Sequence, residues 1–137
     1  MMANKILTFA DSGVLISAAR GNTINSQKAL NVLADPDREF CTSEFVELET
    51  RPKAIFYRQF GGESLYYEAF FNSVALWAKI NQKLAHDAFQ LAKNYGMGAM
   101  DALHVAAAIE LDADELITTE GKTKPMHRIR EIKVIEL

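Results

Sequence analysis

Ile6-Leu7-Thr8-Phe9-Ala10-Asp11-Ser12-Gly13 is the stretch whose reading decides the fold. Five residues rich in strand formers run into a carboxylate, a hydroxyl and a glycine, and a helical pattern from Val14 to Arg20 follows, closed by Gly21. The same alternation continues downstream. Thr23–Ala34 carries a helical pattern (Ile24, Ala29, Leu30, Leu33) stopped by Asp35-Pro36. Glu39–Thr42 reads as a second strand, and Ser43 as the N-cap of the next helix, which Pro52 is expected to kink or restart. Residues 55–80 are the least regular: Gly61-Gly62 divides them, with a helix to Phe71 and a short strand within Val74–Ala78 expected beyond. Leu84–Tyr95 is amphipathic and ends at Gly96, Met100–Leu111 is apolar nearly all round and so belongs inside, and Leu116–Thr119 and Lys133–Leu137 read as the last strands. Strands separated by helices at this spacing predict a parallel sheet covered on both faces, a three-layer α/β/α sandwich formed by a single domain over residues 1–137. Ligands of such sheets bind at the carboxyl ends of the strands.

That rule turns scattered acids into a geometric expectation. Asp11 directly follows the first strand, and Glu120 the strand Leu116–Thr119, so both belong to the carboxyl edge. Asp101 opens the helix that feeds that second strand, which starts at the same edge. Of the three glutamates after Ser43, only Glu49 winds to the apolar side: with Phe45 at zero, roughly 100° per residue puts Glu49 about 40° from it, while Glu47 lands nearly opposite and Glu44 on the flank. A charge on a buried side is rare unless paired or bound to a metal. Each acid has a plainer use. Asp11 serves equally as an N-cap, Asp101 as a first-turn acid complementing the helix dipole, and Glu120 as a solvated loop acid. What those uses leave unexplained is that four distant segments send acids to one edge.

Grouped carboxylates raise one another's pKa unless a cation neutralises them. The chain has one cysteine, Cys41, and three scattered histidines, so cysteine-rich zinc sites and paired-histidine ligation are excluded, and an oxygen-only donor set favours Mg²⁺ or Mn²⁺. Such a centre suits phosphoryl chemistry. Neither a phosphate-binding loop of the G-x-x-x-x-G-K-[ST] type nor a G-x-G-x-x-G fingerprint is present, and Asp11-Ser12-Gly13 lacks the second aspartate of a phosphoaspartate-forming hydrolase. The composition, 49% apolar and 24% charged over 137 residues, excludes disorder, and the apolar stretch at the start is too short for a signal peptide or a membrane span. A reducing, cytoplasmic setting is the expectation. The net charge of −3 does not announce a nucleic-acid binder, yet Lys122, Lys124, Arg128, Arg130 and Lys133 gather just past Glu120. Eight of the thirteen aromatics fall between Phe56 and Trp77, enough for core and for a partner or dimer surface besides.

Met100-Asp101-Ala102-Leu103-His104-Val105-Ala106-Ala107-Ala108, the approach Ala88–Gly98, the segments Ile6–Leu15 and Thr42–Glu49, and the strand Leu116-Ile117-Thr118-Thr119 together resemble the PIN-domain family, and within it the toxin-like ribonucleases of the VapC type. The resemblance covers most of the chain and is weakest over 55–80. It implies a metal-dependent endoribonuclease acting on single-stranded RNA, commonly a toxin silenced by a cognate antitoxin; the oxygen donor set makes the metal Mg²⁺ or Mn²⁺, and the aromatic-dense stretch makes a homodimer an expected assembly. Carried over by position, Asp11, Glu49, Asp101 and Glu120 become the catalytic, metal-binding carboxylates, with glutamate at 120 where the family more often has aspartate. Ser12, Thr118, Thr119 and Lys122 are candidates for substrate or supporting contacts. His104 lies one turn after Asp101, within reach of that carboxylate or of substrate, although a satisfied core histidine is the plainer role. The other reading is a PIN-like module that binds RNA or a protein without cleaving.

Overall fold

A computed structural model of the chain describes residues 4–21 and 23–137. Met1–Ala3, part of the stretch read as too short for a leader, lie outside the described residues, as does Asn22. In chain order the elements are β1 (Ile6–Ala10), α1 (Ser12–Arg20), α2 (Ile24–Leu33), β2 (Arg38–Ser43), α3 (Glu44–Phe56), α4 (Glu63–Ser73), β3 (Leu76–Ala78), α5 (Gln82–Tyr95), α6 (Ala99–Glu110), β4 (Glu115–Thr118), a 3₁₀ turn at Pro125–Arg128 and β5 (Lys133–Glu136).

Local chemistry starts most of the helices. Asp11, Thr23, Ser43 and Asn81 each stand in extended backbone, and each side-chain oxygen accepts the N–H three residues on, which satisfies one of the four orphan donors at a helix start. Gly96 ends α5 at φ 72°, a left-handed conformation that favours glycine. Pro52 does not restart α3, which runs through it to Phe56. The carbonyl deprived of its donor belongs to Leu48, a residue on the exposed side of the helix. The irregular stretch resolves into α4 and β3: Tyr67, Phe70 and Phe71 are buried, whereas Phe56, Tyr57 and Phe60 remain exposed.

All four strand pairings are parallel, in the order β3-β2-β1-β4-β5. Phe9 pairs with Cys41 on one side and Leu116 on the other, so these three side chains share one face, and they join the core built with α5 and α6. Ala10 and Ile117 point the opposite way, against Val14 and Ala18 of α1 and Ala29 of α2. A sheet buried on both faces between helical layers is the expected α/β/α sandwich. The chain lays β2 and β3 on one side of β1, then returns to lay β4 and β5 on the other. The strand order therefore reverses between β1 and β4, and the crevice beyond their carboxyl ends is where ligands of open parallel sheets bind.

Candidate active site

Asp11 stands at that crevice because it follows the last residue of β1. Its backbone N–H still bonds to the Ile117 carbonyl at 3.1 Å, which continues the β1–β4 ladder by one residue. The side chain is 4% exposed. Its Oδ1 accepts the Val14 N–H at 3.2 Å and its Oδ2 the Thr118 hydroxyl at 2.5 Å. The N-cap role and the place at the carboxyl edge are thus both real. Burial pushes the Asp11 carboxyl above the usual aspartate value, against the pull of these two hydrogen bonds.

Thr118 closes β4 and is fully buried. Its hydroxyl donates to Asp11 and accepts the Glu120 N–H at 2.9 Å, linking the two strand ends through one oxygen. Because β4 ends at Thr118, Glu120 sits one residue further along the loop than expected. Its carbonyl accepts from His127 Nε2 at 2.8 Å, which fastens the loop to the 3₁₀ turn. Thr119 is exposed, and its Oγ1 lies where a Cβ at residue 13 would point, so Gly13 is what lets α1 start this close to the β4 loop.

The three glutamates of α3 separate as the helical wheel predicts. Glu44 Oε1 accepts the Ile80 N–H at 2.7 Å, Glu47 pairs with Arg51, and Glu49 turns inward. Glu49 Oε1 meets Ser12 Oγ at 2.7 Å and His104 Nε2 at 2.5 Å. The His104 hydrogen bond, assisted by Ser12, holds the Glu49 carboxyl below its ordinary value despite partial burial. His104 is therefore bonded to the glutamate of α3, and not to Asp101 one turn before it. It is 2% exposed, its ring lies 6.2 Å from that of Phe9, and its Nδ1 is buried with no partner among the described residues.

Asp101 is half-buried in the first turn of α6. Burial raises its pKa first, then the charge of Glu120, with Glu49 adding to the rise; His104 and Lys124 oppose it. Asp101 also acts on Asp11 in the same sense. Asp101 is thus the acid that feels the others: Glu120 and Glu49 act on it, and it acts on Asp11. Among the described residues, no three Asp, Glu, His or Cys side chains close up as a ready cation cage. Asp11 and Glu49 are instead engaged by their hydrogen-bond donors. The donor set itself, carboxylates only and mutually repelling, suits a hard divalent cation, whose charge would relieve the repulsion that Asp101 records.

Two features escaped sequence reasoning. Lys124 is the lysine whose charge reaches Asp101, while Lys122 lines a surface recess with His127 and Glu136. The Glu49–His104 bond joins residues 55 apart, and no local pattern announces such a pair. Cys41 offers no nucleophile: it is buried within β2 and burial pushes its thiol up to about 12.

No curated protein matches the chain by sequence. Among solved structures, the fold is similar to that of the VapBC2 complex of Rickettsia felis bound to a promoter DNA fragment (TM-score 0.70, 16% identity, 96% of this chain and 99% of that one). It is similar also to a toxin–antitoxin complex from Klebsiella pneumoniae (0.70, 22%, 91% and 94%) and to VapC20 of Mycobacterium tuberculosis, a toxin that cleaves the sarcin–ricin loop (0.68, 14%, 92% and 98%). At these identities the likeness speaks for the fold. The family model of the PIN domain matches residues 8–130, nearly the whole chain, and with that match the chain belongs to the PIN-domain family.

Proposed function

We propose that this chain is a divalent-metal-dependent endoribonuclease that hydrolyses phosphodiester bonds of single-stranded RNA, and that it is the toxin of a cytoplasmic toxin–antitoxin pair formed by a single domain over residues 1–137. PIN domains are nucleases that generally depend on a divalent metal. What supports the reading is the placement of Asp11 and Glu120 just beyond the ends of β1 and β4, with Ser12 and His104 turning Glu49 inward and Asp101 in the first turn of α6, where burial first and then the charges of Glu120 and Glu49 raise its pKa. In this reading Asp11, Glu49, Asp101 and Glu120 hold Mg²⁺ or Mn²⁺. A cation so held supplies an activated water and charge stabilisation at the phosphate.

The chain's own groups have separate tasks. Thr118 aims Asp11 and ties it to the loop bearing Glu120. Ser12 and His104 aim Glu49. Lys124, with exposed Lys122 and Arg128 near it in the chain, draws the RNA backbone toward an otherwise repulsive acidic centre, whereas Lys133, grouped with them in the sequence, opens β5 opposite Glu115 at the amino end of the sheet. Exposed Thr119 is a candidate hydrogen-bond donor to the phosphate. The antitoxin reading is supported by the toxin–antitoxin complexes among the structural neighbours. Exposed Phe56, Tyr57 and Phe60 at the α3–α4 turn suit such a partner, or the second copy of a homodimer.

The test is cleavage of single-stranded RNAs with Mg²⁺ or Mn²⁺, wild type against Asp101→Asn. Metal-dependent cleavage lost in the variant supports the reading. If both are equally inert across several RNAs while still binding a partner, the chain is a binding module and the nuclease reading fails.

A further inference from the structure

We infer that His104, together with Ser12, is a positioning residue that sets the Glu49 carboxylate for cation binding; the inference rests on the reading of Glu49 as a metal ligand. Two donors from different helices, Ser12 Oγ of α1 and His104 Nε2 of α6, converge on the same oxygen, Glu49 Oε1. Neither bond engages Oε2. Oε1 is saturated and the carboxylate is pinned at one end, so the orientation of Oε2 is determined before any ligand arrives. Glu49 stands on α3, a third helix, and its side chain is one-third exposed. Without the two donors a glutamate this open to water would sample several rotamers, and ordering it would weaken cation binding.

The environment of His104 argues against a purely structural role. The ring is 2% exposed within a helix whose buried neighbours are alanines and Val105, and it packs near Phe9. Nε2 is engaged by Glu49, and Nδ1 is buried with no hydrogen-bond partner among the described residues. An apolar side chain of similar size fills such a site without leaving a polar atom unpaired. Packing therefore does not call for histidine at 104, whereas the bond to Glu49 does. Groups that hold a ligating carboxylate typically contribute 10–100-fold to metal affinity.

The experiment is Mn²⁺ binding by electron paramagnetic resonance and calorimetry, with thermal unfolding in metal-free buffer alongside. The proteins are wild type, His104→Leu, His104→Gln, Ser12→Ala and Asp101→Asn. His104→Leu is expected to stay folded, losing only the modest stability that its bond to Glu49 contributes, yet to bind Mn²⁺ roughly 10–100-fold more weakly. His104→Gln, which retains a side-chain N–H donor, is expected to recover most of that affinity, and Ser12→Ala to lose several-fold. Wild-type affinity in His104→Leu overturns the inference while leaving the metal centre intact. So does a loss of affinity in His104→Leu that His104→Gln shares in full. Wild type binding Mn²⁺ no better than Asp101→Asn overturns the metal centre itself, and the inference with it. Should His104→Leu fail to fold, Ser12→Ala decides: unchanged affinity there overturns the clamp.

Discussion

Replacing Thr118 by valine removes one oxygen and keeps the shape of the side chain. That oxygen makes two buried contacts, donating to Asp11 Oδ2 at 2.5 Å and accepting the Glu120 N–H at 2.9 Å. Thr118 is fully buried and Asp11 is 4% exposed, so water does not readily take over at the carboxylate. A hydrogen bond to a charged group contributes roughly 1.5–3 kcal/mol net, and stranding a buried partner costs about 1–3 kcal/mol; these overlap and are not summed. The Glu120 N–H lies in a half-exposed loop and rehydrates more easily. The expected loss is therefore about 2–3 kcal/mol at pH 7. For a chain of 137 residues, that corresponds to a fall in Tm of roughly 10 °C. Urea unfolding should show a lower midpoint at unchanged slope. Thr118→Ser keeps the hydroxyl and loses one methyl, so it should cost about 1 kcal/mol. A Thr118→Val protein within about 0.5 kcal/mol of wild type, or less impaired than Thr118→Ser, would refute the bridge between the two strand ends.

Asp11→Asn is expected to stabilise the metal-free protein at neutral pH, because burial raises the native carboxyl above its ordinary 3.8 and so penalises the charged form. Wild type loses stability as pH rises from 3.8 through that raised value, and the asparagine variant does not; its advantage should vanish below pH 3.8, as melting between pH 3 and 8 in chelator will reveal. Glu49 has the opposite sign: its lowered pKa contributes stability above 4.5 that is lost as pH falls through the native value, so Glu49→Gln should flatten that part of the profile. At the other end of the sheet, Arg38→Met strands Glu115, whose side chain is 6% exposed and, among the described residues, keeps the Thr8 hydroxyl alone; a loss of about 2–3 kcal/mol is expected by urea titration, below the full cost of breaking a buried pair because Arg38 is itself 20% exposed. A loss under 0.5 kcal/mol would show that Glu115 finds water.

Much of this arrangement was legible in the primary structure. The run Ile6–Ala10 before Asp11 is β1, and Ser43 caps α3 as the pattern indicates. Glu49 is the glutamate of α3 that turns inward, because 100° per residue is a local property that needs no tertiary information. The failures have physical reasons as well. Pro52 is tolerated in α3 at a place where Leu48, the residue one turn back whose carbonyl loses its donor, is exposed. Residues 55–80 gave no clean period because their aromatics are split between the core and the surface.

By itself, then, the sequence determined the alternation of strand and helix, and through it the edge of the sheet to which Asp11, Asp101 and Glu120 belong. Hydrophobic period and capping chemistry act over a few residues, and connectivity follows from them. The tertiary structure alone decided the partners. Asp11 finds Thr118 at a separation of 107 residues, Glu49 finds His104 at 55, and Lys124 is the lysine whose charge Asp101 feels. Such pairings depend on strand register and helix packing, which bring distant residues within 3 Å of each other and leave no periodic trace along the chain.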